Sequence, residues 1–385
     1  MIAGVSVAQD NNPSNLTGSP YTRYGYGKLG SMGNAVTRSM GDVGIALRSN
    51  LNTTLANPAS LTAIDTLTMI FSMGLDADYS TFTEDGKKTR NWNGGFSNMS
   101  LHFPLWRNFA MSLSLTPYTM VGYSYGSVDK TSVISPVNRH DTLSIGTVYN
   151  GVGGINNFMM GIGYRPWQNK MNELNMGVNF GYLFGTIEHE VAMTTSSQSN
   201  STYISHEMSI RGLLFKLGLQ YTHRFNALQS MTIGATFQPK LNMSLDTEEL
   251  KISTDTLSLT DEFRNDIKSP MKLGFGLSYN IARKLTISAD YEFVQWSAVS
   301  GLNTDLSTSD GLDIFNDTHR IAVGAEYIPR ANSSKFFQNC RYRVGFNTKN
   351  SYMLVNKVKL RETAVTAGVS VPVNRRCFID FGVGY

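Results

Sequence analysis

Histidine and cysteine are the residue types that most often bind metals or attack substrates, and this chain has few of either. The histidines stand at spacings that match no metal motif, and neither Gly-x-Ser-x-Gly nor His-Glu-x-x-His occurs. An enzyme could still assemble Ser, His and Asp from distant parts of the chain. The pattern favours no enzyme, no cofactor and no metal. The residues concerned are His102, His140, His189, His206, His223, His319, Cys340 and Cys377, and both cysteines are expected to be free.

Composition points to strands at a membrane. Charged residues make up 16% of the 385 residues, against about 25% in an average soluble domain. Glycine (35), phenylalanine (20) and tyrosine (18) are abundant. The net charge of +4 is small and spread along the chain, which argues against a nucleic-acid partner. No window reaches the 18 or so consecutive apolar residues of a membrane helix, so any membrane span must be β.

From residue 66 onward, apolar residues recur at every second position. Leu67, Phe71 and Leu75 alternate with small or polar residues such as Ser72 and Asp76, which is the period of a strand with one apolar face. A soluble sandwich alternates as well, so the connections decide between the two. Short and long connections alternate along the chain, as in bacterial outer-membrane barrels with short periplasmic turns. The predicted strands are 66–82, 94–105, 109–126, 153–166, 172–187, 206–225, 229–246, 270–281, 285–299, 318–329, 338–349, 362–372 and 377–385.

The sequence therefore predicts an all-β fold, a transmembrane antiparallel β-barrel of the cell outer membrane over residues 66–385, surrounded by outer-membrane lipid. Residues 1–9 resemble the end of a signal peptide. Residues 10–65 are rich in Gly and polar residues and cannot lie in lipid, where unpaired backbone groups are too costly. We expect them to form a plug in the lumen.

At this point the chain resembles the FadL-type family of outer-membrane channels for hydrophobic compounds. The matching residues are 40–47 and the element Asn57-Pro58-Ala59-Ser60-Leu61. The resemblance implies an N-terminal hatch in a 14-stranded barrel, with Asn57, Pro58 and Ala59 at the gate. Residues 19–25 resemble the Bacteroidota branch. The alternative is that this element merely turns the chain into the first strand.

Pro117 lies in the third predicted strand, where a proline removes a ladder hydrogen bond and implies a bulge or gap. Family members have a kink in that strand that opens a lateral exit, so the resemblance implies one at Pro117. A tolerated bulge is the alternative. Phe96, Ile70 and Val294 are the apolar side chains predicted to line the lumen. Many acidic residues in the long connections and a mostly polar lumen depart from a fatty-acid channel.

Two functions follow from these features. The first is passive uptake of a hydrophobic small molecule through a hatch-gated lumen. The second is a structural role, in which a FadL-like barrel has lost transport and docks with other outer-membrane barrels or lipoproteins in machinery for protein secretion or barrel assembly. The acidic loops and the polar lumen motivate the second.

Bacterial single-chain barrels use even strand numbers, whereas thirteen strands are predicted here. We therefore expect a fourteenth strand to follow Tyr385 in the complete protein. The alternative is a missed strand within residues 141–151.

Overall fold

A computed structural model describes residues 18–52, 54–84, 87–134, 140–195, 201–253, 256–299, 315–330, 333, 335–355, 358–374 and 377–385. The predicted signal-peptide residues 1–9 lie outside these ranges. These residues contain four short helices: two 3₁₀ helices, Pro20–Arg23 and Pro58–Ala63, and the α-helices α1 (Ala35–Arg38) and α2 (Phe336–Asn339). In the part of the chain that is described, no helix is both long and apolar enough to cross a bilayer.

The strands of the described part of the chain form one antiparallel sheet of sixteen members. Their bounds are β1 Lys28–Leu29, β2 Ile70–Glu84, β3 Lys87–Trp106, β4 Phe109–Ile134, β5 His140–Gln168, β6 Asn172–Thr195, β7 Ser201–Arg224, β8 Gln229–Gln238, β9 Asn242–Ser253, β10 Thr256–Lys268, β11 Met271–Ile281, β12 Leu285–Gln295, β13 Thr318–Tyr327, β14 Arg341–Val355, β15 Val358–Pro372 and β16 Phe378–Gly384.

Thirteen of these strands pair one after another, from β2 to β8 and then from β11 to β16, with β8 paired directly to β11. β9 pairs with the upper part of β7, and β10 pairs with β9. Among the described residues, β2 and β16 end the path and show no pairing with each other. The predicted fold class is confirmed, since the chain is an antiparallel β-barrel built almost entirely of strands. Both cysteines are free; Cys340 is buried and Cys377 exposed.

The outer face of the barrel carries an exposed apolar band. Leu75 and Phe381 are 76% and 59% exposed, and similar residues alternate along the other strands. Aromatic side chains gather near the short turns, where Phe109 stacks on Tyr164 with ring centroids 4.4 Å apart and Trp106 meets Phe109 edge-on. An apolar belt bordered by aromatic rings is the surface that a lipid bilayer favours.

Five predicted loops are mostly strands in the structure. Two of them, 83–93 and 350–361, are largely filled by the ends of β2 and β3 and of β14 and β15. β4 and β5 extend through most of 127–152, β6 and β7 through most of 188–205, and β9 and β10 occupy most of 247–269. These segments are polar, which made them resemble loops, but polar residues alternate in a strand as readily as apolar ones when one face meets water. We call β9, β10 and the distal parts of β4 to β7 the extension.

The extension bends where it leaves the apolar band. β4 has a register shift between Pro117 and Thr119, and the facing residues Gly154 and Gly185 adopt φ of 155° each. A Cβ at either glycine would overlap a backbone oxygen of the adjacent strand, so only glycine is tolerated there. Beyond the bend the inner face of the sheet is apolar and the outer face is polar, the reverse of the arrangement in the apolar band. On the cross-strand neighbours of β6 and β7, Ile187 and Met208 are buried inside, while Glu188 and Glu207 lie outside.

The prediction that Phe96 lines the lumen is wrong. β3 has a register shift at Ser97, so that Phe96 pairs with Leu75 while Asn98 pairs with Gly74. Directly paired residues share a face of the sheet, and Leu75 lies on the exposed outer face. The extra residue at 97 turns Phe96 outward, because one added residue reverses the side-chain alternation.

Residues 18–65, which we call the inner segment, lie against the inner face of the sheet. At eight of the described strands a glycine stands where the inner segment touches the wall, and a side chain there would collide with it. From residue 35 onward the segment meets the strands in the reverse of their chain order, from residues 58–63 on β4 to β7 to α1 on β15 and β16, whereas residues 20–29 lie on β4. The contact glycines are Gly163 (β5), Gly177 (β6), Gly218 (β7), Gly234 (β8), Gly276 (β11), Gly324 (β13), Gly345 (β14) and Gly368 (β15).

Replacing Gly345 by alanine is expected to destabilise the barrel, because a Cβ there would overlap the backbone nitrogen of Gly41. Overpacking of this kind costs about 1–3 kcal/mol of unfolding free energy. Urea unfolding in detergent micelles measures the loss. The matched control is Gly146→Ala in β5, where the nearest atom to an added Cβ is 3.9 Å away. Equal unfolding midpoints for the two variants would contradict the close approach.

Candidate functional site

The Asn57-Pro58-Ala59 element begins the second 3₁₀ helix of the inner segment. Asn57 is extended and its side-chain oxygen accepts a hydrogen bond from the backbone nitrogen of Ala59 at 3.0 Å. Pro58 occupies the first helical position, where its missing N–H is not needed. The element is thus a capped helix start whose three residues are buried.

Asn57 also ties the inner segment to the wall. It is 0% exposed, and its Nδ2 donates to the carbonyl oxygens of Ile45 at 2.8 Å and Leu219 at 3.2 Å. Gln220 of β7 donates to the same Ile45 oxygen at 2.8 Å. A buried backbone carbonyl left without a donor costs about 1–3 kcal/mol. The residue predicted as a gate is therefore also a structural anchor.

A buried carboxylate surrounded by three arginines fixes the inner segment near the short turns. Glu173 of β6 contacts Arg48 of the inner segment at 2.6 Å, Arg224 at 2.7 Å and Arg165 at 3.3 Å. Arg48 also donates to Thr62. Burial lowers the pKa of Arg48 to about 10, while the Glu173 charge acts in the opposite direction. The network holds charges that would be costly to leave unpaired.

A second set of contacts anchors the opposite part of the inner segment. Asp290 of β12 is 4% exposed and accepts hydrogen bonds from the backbone nitrogens of Gly44 at 2.6 Å and Ile45 at 2.9 Å. Arg320 of β13 donates to the carbonyl oxygen of Asp42 at 2.9 Å and lies 3.7 Å from its carboxylate. Charged acceptors and donors form the stronger hydrogen bonds in proteins.

Next to Pro117 the sheet that forms the barrel wall is interrupted between β3 and β4. In the described residues, β3 pairs with β4 only from Met99 and Leu115 toward the short turn. Beyond this point β4 pairs with β1 of the inner segment instead, and on the other side Gly18 accepts a hydrogen bond from Asn91 of β3 at 2.7 Å. The opening beside the predicted kink is thus occupied by the chain's own residues 18–30.

An apolar core fills the lumen on the side of the extension. Trp296 packs against Tyr352 with ring centroids 4.6 Å apart, and both surround Tyr26 of the inner segment. Tyr352 donates to the Gly27 carbonyl at 2.6 Å. Buried residues of the extension join this core; they include Tyr123, Ile187, Met208, Ile210, Met243, Leu245 and Ile267.

Between the ion network and the apolar core lies a cavity of about 160 Å³. Val294, one of the residues predicted to line the lumen, is buried and lines this cavity. Ile70 pairs with the buried His102 and so shares the inner face. Within the described residues, no group of three His, Cys, Asp or Glu side chains is arranged to hold a metal ion.

Sequence reasoning missed the residues that hold the inner segment. Glu173, Asp290 and Arg320 stand at inward-facing positions of apolar strands, and an ionisable residue at such a position is a signal of a buried pair. The partners could not be identified, since Arg48 and Glu173 are 125 residues apart. The core residue Tyr26 gave no signal, because the residues around it follow no strand or helix period.

Comparisons with known proteins identify both a family and a fold. A protein-family model described as BamG matches residues 1–385. No curated protein matches the chain.

Several solved structures share the fold at low identity. The Ralstonia pickettii toluene transporter TbuX is 16% identical with a TM-score of 0.53, covering 92% of this chain and 93% of that one. The Pseudomonas putida toluene transporter TodX is 13% identical with a TM-score of 0.52, covering 93% of both chains. A Pseudomonas aeruginosa FadL homologue is 12% identical with a TM-score of 0.56, covering 93% and 90%. At these identities the likeness concerns the fold alone.

The Glu173→Gln substitution is expected to lower the unfolding free energy by about 3–5 kcal/mol, because it leaves three arginines without their buried counter-charge. Chemical unfolding in micelles measures the loss of unfolding free energy, provided that the dependence of that free energy on denaturant concentration is the same in both proteins. The control is Glu362→Gln, which removes one partner of an exposed pair with Lys349 at 3.0 Å and should cost about 0–1 kcal/mol. A loss at Glu173 no larger than at Glu362 would show that the network does not hold the inner segment.

Proposed function

The chain belongs to the BamG family, and from that membership we propose that it is a structural subunit of a multi-protein complex in the outer membrane, with a FadL-like barrel that does not transport. The complex is machinery for protein secretion or barrel assembly, and the partners are other outer-membrane barrels or lipoproteins. The family name is in keeping with barrel assembly.

The observation that carries the proposal is the fixed inner segment. In a transporting barrel, either the plug moves or the substrate passes beside it. Here the apolar core blocks the path beside the plug. Movement of the plug would break the Glu173 network and the Asp290 hydrogen bonds. Breaking one buried ion pair costs about 3–5 kcal/mol, so loss of several together would be comparable to the whole stability of a domain. A permanent plug is the simplest role for the inner segment.

The wall next to Pro117 supports the same proposal. In a laterally opening channel, the kinked strand leaves a path from the lumen to the lipid. Here β1 pairs with β4 through Lys28 and Met120, and Gly30 donates to the Tyr118 oxygen at 2.9 Å. A ligand leaving by this route would have to displace these backbone hydrogen bonds.

The extension provides a surface for a partner. It projects beyond the apolar band, and its outer face carries polar and acidic side chains such as Glu188, Glu207 and Glu248, which are cross-strand neighbours. A polar surface of this kind is exposed to water rather than to lipid. Its negative charge guides the approach of a positively charged partner.

Passive uptake of a hydrophobic small molecule is the second candidate. The aromatic rings of Tyr26, Trp296, Phe315 and Tyr352 lie together in the lumen, and two of the similar structures are described as toluene transporters. In this role residues 57–59 would act as the gate and Pro117 as the exit.

Purification from native outer membranes in a gentle detergent tests the proposal. We expect stable co-purification of other barrels or lipoproteins, and its loss in a Glu207→Lys/Glu248→Lys variant that reverses the charge of the extension. The folded yield of that variant should not change, because both side chains are exposed. A wild-type monomer without partners would contradict a structural subunit.

A disulfide between the inner segment and the wall separates the two functions. A Cβ at position 382 would lie 3.5 Å from the Ser39 Cβ, within the range for a disulfide. In a Cys340→Ala/Cys377→Ser background, the oxidised Ser39→Cys/Gly382→Cys variant should retain its partners and its yield. Toluene uptake into liposomes that appears on reduction and vanishes on oxidation would instead favour the channel. The Ser39→Cys single variant controls for the oxidant.

A further inference from the structure

The cavity in the lumen lies where the inner segment faces β7 and β11 to β14. Four basic side chains line it, Lys216, Lys272, Arg320 and Lys349, against two acidic ones from Asp42 and Glu292. Its 160 Å³ can hold several water molecules or one small polyatomic ion. Because Lys349 also pairs with Glu362 outside the lining, these groups leave a formal excess of one positive charge in a space large enough for an anion.

The excess belongs mainly to two lysines. Arg320 lies 3.6 Å from Glu292 and 3.7 Å from Asp42, and Lys349 pairs with Glu362 at 3.0 Å.

Lys216 is only 8% exposed, and its Nζ contacts the Met32 sulfur at 3.9 Å. Lys272 lies over the Tyr118 ring at 5.2 Å. Within the described residues, neither lysine has a carboxylate oxygen within 4 Å. The Glu292 charge attracts both from a greater distance, and it is shared with Arg320. A buried ammonium without a direct counter-ion is unfavourable.

Unpaired hydrogen-bonding groups surround the same space. Tyr118, Asn157, Trp296 and Thr318 line the cavity, and each has a buried side-chain polar atom without a partner in the described part of the chain. Indole and ammonium nitrogens only donate hydrogen bonds. A species that satisfies Lys216 Nζ must therefore offer acceptors, and a phosphate group offers both acceptors and a double negative charge.

We propose that this cavity is a binding site for a phosphate group, with Lys216 and Lys272 as its counter-charges. The cavity is bordered by Gly30, Pro117 and Tyr118, where β1 fills the division of the wall. The group can therefore come from free inorganic phosphate or from a lipid headgroup in the surrounding bilayer. The site is independent of the structural role proposed above, since it concerns only the lumen.

Two measurements on the full chain distinguish the sources. In the first, detergent-purified protein freed of lipid is titrated with inorganic phosphate, and thermal unfolding is followed with chloride at the same ionic strength as the reference. Free phosphate as ligand gives a saturable rise in the unfolding temperature. In the second, native mass spectrometry of protein taken directly from membranes reports bound phosphate-bearing lipid. A lipid ligand appears only in this measurement.

The Lys216→Met variant keeps the length of the side chain and removes its charge, and it should weaken phosphate binding or lipid retention at least tenfold. Lys170→Met, in the exposed turn after β5, is the matched control and should change neither. If Lys216→Met does not fold, Lys272→Gln replaces it. Absence of a phosphate-dependent shift together with lipid retention that is unaffected by these lysines would overturn the proposal and leave a cavity that holds water only.

Discussion

The close approach between the backbone of the inner segment and the backbone of the wall is the constraint on which the rest of the structure depends. Along most of the lumen no side chain separates the two, because a glycine of the wall stands opposite the inner segment. Polar groups of the inner segment that are buried at these contacts must find partners in the wall. Asn57 and Asp290 meet this requirement from opposite sides.

The lumen is accordingly divided into three zones with different chemistry. Near the short turns an ion network surrounds Glu173, in the middle lies a cavity with excess positive charge, and toward the extension an apolar core contains Trp296. The apolar core can form only because the apolar face of the strands changes sides at the bend. In the apolar band that face is the outer one, toward lipid, and in the extension it is the inner one. The glycines at 154 and 185 allow that bend.

Much of the fold could be predicted from sequence because alternation of apolar and polar residues is a local signal that lipid enforces on the strands of the apolar band. Where one residue interrupts the alternation, as Ser97 does, the prediction fails for its neighbour Phe96. The polar strands of the extension were taken as loops because their apolar residues face a core that is not visible in the sequence. β1 has two residues and no periodicity, so its place beside Pro117 could not be inferred.

The reverse order in which the inner segment, from residue 35 onward, meets the strands has a consequence for how the barrel forms. Thr62 meets β6 across 113 residues, whereas Gly41 meets β15 across 325. Closing the second loop directly would be slow, but each earlier contact shortens the chain that remains free. The early strands can therefore dock on residues 57–63 first, and each later strand then meets the next exposed stretch of the inner segment. The inner segment thus acts as a template on which the strands assemble in order. Its removal is expected to impair assembly of the barrel before it affects any passage through the finished barrel.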